Sequence, residues 1–167
     1  MDSIRILIDA DHCPARIRQV LIKTAENRQI RLLFVSVKPV PVAEGLYTSC
    51  TLVTPGDHAA DKKIIELASN RDLAITADIP LASQLIQLGV TVIHPKGDVF
   101  TKETIGERLA SYQLARQLRE QGIDPSQYKT PVRYQKSDNF KKFADALDRE
   151  ITKRMKHIIP EKIRFTE

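Results

Sequence analysis

The chain opens with a nearly continuous apolar run, Ile4-Arg5-Ile6-Leu7-Ile8, that passes directly into Asp9-Ala10-Asp11-His12-Cys13-Pro14. A short apolar run closed by a proline reads as a strand covered on both faces, the habit of parallel sheets. Such a strand normally ends in a turn, whereas this one ends in two carboxylates two residues apart. They stand at the carboxyl end of the strand, where open α/β sheets bind their ligands. Like charges so close together call for a cation or a proton between them.

The rest of the chain extends the parallel reading. Residues 31–37, 49–53, 73–76 and 90–93 read as further short strands, the last of them the final clear one. Lys38-Pro39-Val40-Pro41 and Thr54-Pro55-Gly56 break the chain after the second and third, because proline cannot donate to a ladder. Helical spacing appears in Ile17, Val20/Leu21 and Thr24/Ala25 after Pro14, which suits the first helical position. It recurs in Ala60, Ile64, Leu67 and Ala68 of a helix over 57–70. Residues 80–88 form a helix closed by Gly89, and residues 102–121 one that ends at Gly122. Residues 123–136 are polar, carry Pro125 and Pro131, and read as a loop or arm. Phe140, Phe143/Ala144, Leu147 and Ile151 then mark a last amphipathic helix.

Strands alternating with helices imply a three-layer α/β/α sandwich with a mostly parallel sheet. The 167 residues suffice for one domain. The expected layout is an α/β core over 1–122, completed within the same domain by the arm and basic helix of 123–167.

Composition narrows the class. No run is apolar and long enough to span a bilayer, and the first residues lack the plan of a signal peptide. Two cysteines, Cys13 and Cys50, imply no disulfide framework. A soluble cytoplasmic protein without a membrane partner is therefore expected, and homo-oligomerisation is left open. The net charge of +5 is uneven: residues 1–128 hold 15 Lys/Arg against 15 Asp/Glu, residues 129–167 hold 11 against 6. A basic tail of this kind suits a polyanionic partner or a solvated lysine-rich helix.

Acids recur where strands hand over to helices: Asp9/Asp11, Asp57/Asp61, Asp78 and Asp98. In a parallel sheet these junctions share the carboxyl edge. Each has a structural alternative. Asp57 and Asp78 can cap helices, Asp61 can complement a helix dipole, and Asp98 can serve the turn in Lys96-Gly97-Asp98. Gathered together, they form a hard-oxygen set suited to Mg²⁺ or Mn²⁺. Thr76, two residues before Asp78, can bond a carboxylate or phosphate or cap a helix. His12, Cys13 and His58 match no zinc pattern. A cysteine phosphatase loop needs an arginine where Gln19 stands. Gly-rich phosphate loops and a serine nucleophile elbow are also missing from the sequence.

Ile8-Asp9-Ala10-Asp11-x-Cys13-Pro14, Gly56…Ala60-Asp61 and the run from Asp72 to Ala82 (DLAITADIPLA) closely resemble the YaiI/YqxD family of uncharacterised bacterial proteins. The likeness covers roughly the first 150 residues and includes Gly97. That family is similar to PIN-like domains, among them Mg²⁺/Mn²⁺-dependent ribonucleases and flap-type nucleases. The resemblance implies a PIN-like fold, with Asp9 (and Asp11), Asp61, and Asp78 with Thr76 in the catalytic positions, and Asp9, Asp61 and Asp78 as metal ligands. One departure stands out. The family pattern Gly-x-Asp-x-Ala-Asp is here Gly56-Asp57-His58-Ala59-Ala60-Asp61, so His58 takes the aspartate position.

Three functions follow as expectations. The first is a Mg²⁺- or Mn²⁺-dependent nuclease acting on RNA, with Lys129, Arg133, Lys136, Lys141 and Lys142 tracking the backbone. The second is a non-catalytic nucleic-acid- or protein-binding module on the same fold. The third is a phosphatase of the haloacid-dehalogenase kind, suggested by Asp9-Ala10-Asp11. It expects a Thr or Ser after the second acid, where His12 stands.

Overall fold

The computed structural model describes residues 4–128 and 139–158. Its strands are β1 (Arg5–Asp9), β2 (Arg31–Ser36), β3 (Thr48–Leu52), β4 (Leu73–Ile75), β5 (Thr91–Ile93) and β6 (Val99–Phe100). Its helices are α1 (Ala15–Arg28), α2 (Ala59–Leu67), α3 (Ile79–Gln87), α4 (Lys102–Glu120) and α5 (Asn139–Ile158). The six strands form one sheet in the order β3-β2-β1-β4-β5-β6. Every pairing is parallel except β5 with β6.

The apolar strands are buried on both faces, and their alternation sorts side chains between two cores. Ile6 and Ile8 of β1, Leu32 and Phe34 of β2, and Ile75 of β4 meet Ile17 and Leu21 of α1 and Phe143, Leu147 and Ile151 of α5. Leu7, Val35, Ala74 and Val92 face the other way, onto Ile64 of α2, Leu81 and Leu85 of α3, and Ile105 of α4. This is a three-layer α/β/α arrangement consistent with a PIN-like sandwich. No helix among the described residues is long and apolar enough to cross a membrane.

Element ends shift by one to three residues from the sequence reading, as with α2 at Ala59–Leu67 rather than 57–70, and three local features differ. Pro14 is the N-cap of α1 rather than its first helical residue. Between β1 and α1 the chain takes a tight 3₁₀ turn, Ala10–His12, too short to leave a period. The hairpin strand β6 was missed because two residues carry no alternation to read. It places Gly97 at φ +97°, where a Cβ would lie 2.7 Å from the backbone of Lys142 and Phe143. Gly97→Ala combines left-handed strain with a collision against α5, and is expected to cost about 3 kcal/mol in chemical denaturation.

Candidate functional site

The strand order singles out one pair of neighbouring strands. From β1 the chain winds outward through β2 to β3, then returns to the other side of β1 and winds through β4 and β5. The adjacent pair β1/β4 is therefore the topological switch point, and the crevice outside its carboxyl ends is where doubly wound sheets bind ligands. Asp9 ends β1, and Thr76 follows β4 directly. Alternation turns Asp9 to the same face as Leu7, and Thr76 to that of Ala74, so both look toward α2 and α3.

A chain of hydrogen bonds runs along this crevice. Thr76 Oγ1 donates to Asp9 Oδ2 at 2.9 Å and accepts from the Asp78 amide at 3.0 Å. Asp78 Oδ1 accepts from the Leu81 amide at 2.9 Å and so caps α3, whose first turn carries Pro80. Asp78 thus holds a capping role within the crevice itself. Asp61 comes from the first turn of α2, and its Oδ2 lies 3.2 Å from His58 Nδ1.

The electrostatics bind these residues together. Asp9 is only 1% exposed. Burial pushes its carboxyl up to about 6, opposed by the Thr76 hydrogen bond and by the field of His12, and reinforced by the charges of Asp61 and Asp78. Asp61 is raised as well, first by burial and then by Asp78, against the pull of His58 and His12. Asp9, Asp61 and Asp78 therefore share one field.

Other buried acids show how this chain neutralises a carboxylate when the purpose is structural. Asp72, at the opposite end of the sheet, is 3% exposed. It receives Arg5 in a forked pair at 2.8 and 3.3 Å, plus the Ser69 amide at 2.9 Å. Buried Glu150 has Lys153 at 3.2 Å. Asp9, the most buried of the three, is held by a neutral hydroxyl. A buried carboxylate without a salt-bridge partner costs several kcal/mol, and such groups cluster at functional sites.

The remaining sequence candidates fall elsewhere. Asp11 turns away to the end of β2, where its carboxylate accepts from the amides of Val37 at 2.9 Å and Lys38 at 3.5 Å. Asp11→Ala is expected to lower stability by about 1 kcal/mol through the freed amides, while leaving divalent-cation affinity, read by calorimetry, near wild type. Asp57 does not share a helical face with Asp61. It precedes α2, and its side chain is 91% exposed. Asp98 sits in the β5–β6 hairpin, paired with Lys142 at 2.6 Å and Arg108 at 3.5 Å. Lys142 thus braces α5, while Lys141 is exposed beside it. Lys129, Arg133 and Lys136 lie outside the described residues. Cys13 is buried, and burial pushes its thiol up to about 12, which suits a packing residue.

Sequence reasoning set His12 aside, yet its field reaches both Asp9 and Asp61. The signal was the three-residue spacing from Asp9, because positions three apart eclipse along a 3₁₀ turn.

By donor chemistry Asp9, Asp61 and Asp78 fit a hard divalent cation. Their present placement is looser: among the described residues no group of three or more His, Cys, Asp or Glu side chains is gathered closely enough to hold an ion.

The model of the family described as "Uncharacterized BCR, YaiI/YqxD family" matches residues 7–153 of the chain. The chain belongs to this family. The match takes in the end of β1 with Asp9, the residues of the crevice and most of α5, so the candidate site lies inside the family's shared region. A UPF0178 protein of Syntrophobacter fumaroxidans is 40% identical over 154 residues, covering 92% of this chain and 97% of that protein. A UPF0178 protein of Myxococcus xanthus is 36% identical over 153 residues, covering 92% and 97%. One of Saccharophagus degradans is 37% identical over 153 residues, covering 92% and 99%. No solved structure matches the chain.

Proposed function

We propose that this YaiI/YqxD protein hydrolyses RNA phosphodiester bonds with a divalent cation, Mg²⁺ or Mn²⁺, bound at the β1/β4 crevice. The observation that carries the reading is Asp9: buried at the switch point, raised to about 6, within the field of two further acids and without the basic partner that Asp72 has. Asp9, Asp61 and Asp78 would hold the cation. Bound there, it would neutralise a phosphate oxygen and acidify a water. The chain's own part is orientation. Thr76 fixes the Asp9 carboxylate through Oδ2, and the α3 cap fixes Asp78. The RNA class rests on the resemblance to PIN-like nucleases and on the basic balance, pI about 9.3, which suits phosphate tracking by the 129–142 region.

The test is incubation of a labelled single-stranded RNA with Mn²⁺ and either wild type or Asp9→Asn, with Mn²⁺ binding measured in parallel by calorimetry. Cleavage by wild type alone, with loss of Mn²⁺ binding in the variant, supports the proposal. Equal cleavage by both proteins, or no Mn²⁺ binding at millimolar concentration, removes it. RNA bound but left intact would favour the non-catalytic module.

A further inference from the structure

We propose that Glu44 guards the outer edge of the sheet and keeps β3 from pairing with the β3 of a second copy of this chain. Among the described residues β3 has β2 as its single neighbour. Residues 46–54 carry no charge, proline or glycine and are rich in Thr, Leu, Val and Tyr, a composition that adds strands readily. Leu46 is 85% exposed and Leu52 60%. The lysines and prolines that usually blunt such an edge stand nowhere within this stretch, so its protection has to come from outside the strand.

The ladder shows which backbone groups are at stake. The Leu32 amide donates to the Tyr47 carbonyl at 2.7 Å, and the Val53 amide donates to the Ser36 carbonyl at 2.8 Å. Odd-numbered residues therefore bond β2, and the amides and carbonyls of Thr48, Cys50 and Leu52 point outward. The loop before β3 meets two of them. The Gly45 amide donates to the Thr48 carbonyl at 2.9 Å, and the Cys50 amide donates to Glu44 Oε1 at 3.1 Å.

The position of that carboxylate names the partner it refuses. Cys50 is the middle residue of β3, so the edge is self-complementary about it. With a two-fold axis at Cys50, two antiparallel β3 strands would exchange both hydrogen bonds between their Cys50 residues and set Thr48 opposite Leu52 of the other copy. A carboxylate on the Cys50 amide removes both central bonds, one from each copy. Each copy would have to give up a charge-assisted hydrogen bond before pairing.

The test is sedimentation velocity of wild type, Glu44→Gln, Glu44→Ala and Glu44→Ala/Leu52→Lys over a concentration series, with circular dichroism as the check on folding. Glutamine keeps an oxygen for the Cys50 amide, whereas alanine does not. Wild type and Glu44→Gln are expected to share one state of assembly. Glu44→Ala should associate one step further, about tenfold more tightly per released amide and so about a hundredfold for a pair. A lysine on the edge should return the double variant to the wild-type state. A short bis-maleimide should join two Glu44→Ala chains through Cys50, since Cys13 is buried, and Cys50→Ser should abolish that product. Three results overturn the guard: Glu44→Ala no more associated than wild type, Glu44→Gln as associated as Glu44→Ala, or an assembly indifferent to both Leu52→Lys and Cys50→Ser. Wild type that already cross-links through Cys50 overturns it as well.

Discussion

Asp9→Asn is expected to make the protein more stable and inactive at once. At neutral pH the variant should melt higher than wild type, while RNA cleavage in Mn²⁺ falls below about 1%, because several kcal/mol of charge stabilisation leave with the ligand. The stability gain follows from the raised carboxyl. A folded-state value of about 6 against the ordinary 3.8 corresponds to a penalty of up to about 3 kcal/mol once Asp9 is ionised. The sign is as follows. Below pH 3.8 Asp9 is protonated in both states and nothing is lost. Between 3.8 and about 6 the unfolded chain ionises first, so stability falls as pH rises. Above about 6 the penalty is complete. The melting advantage of Asp9→Asn over wild type should therefore grow across that window and then level off. Asparagine keeps an oxygen to accept the Thr76 hydroxyl, so the hydrogen bond of 2.9 Å can survive. In wild type, cation affinity should weaken as pH falls through about 6, since a protonated carboxyl is no ligand. An unaltered or lower melting temperature for Asp9→Asn at pH 7 would mean that Asp9 is a structural group. Stability traded for function is the behaviour expected of a working site.

Phe143→Ala should produce the largest loss of stability, about 3–5 kcal/mol in chemical denaturation, through removal of a large side chain and the cavity it leaves. Phe143 is fully buried on α5 and packs within the core that α1 and the sheet share. α5 is fastened around it. Arg28 of α1 reaches Asp148 at 2.6 Å, Arg154 donates to the Arg71 carbonyl at 3.0 Å, and Gly97 lets the β5–β6 hairpin close on Lys142 and Phe143. These contacts join residues 45 to 120 positions apart along the chain. A loss below about 1 kcal/mol would show that α5 contributes little to the core. Because Phe143 faces the α1 side and Asp9 the α2/α3 side, the variant that remains folded should keep its Mn²⁺ affinity, measured well below its melting temperature.

The amino-acid sequence by itself determined the class of fold. Apolar runs of strand length alternating with helical periods leave few options besides a covered parallel sheet, and proline and glycine mark where each element stops. It also named the acids, since Asp9, Asp61 and Asp78 all stand at strand–helix junctions. Tertiary structure decided which acids share one field. Strand order is a non-local property, and only the return of the chain to the far side of β1 makes β1/β4 the switch point. The same packing separates Asp11, drawn off by the amides that end β2, from Asp9 two residues earlier. It turns Asp98 into a brace for α5, and it gives Asp72 an arginine while Asp9 receives a hydroxyl. No local pattern carries that distinction, because whether a buried charge is paired depends on which distant side chains the fold brings within about 4 Å.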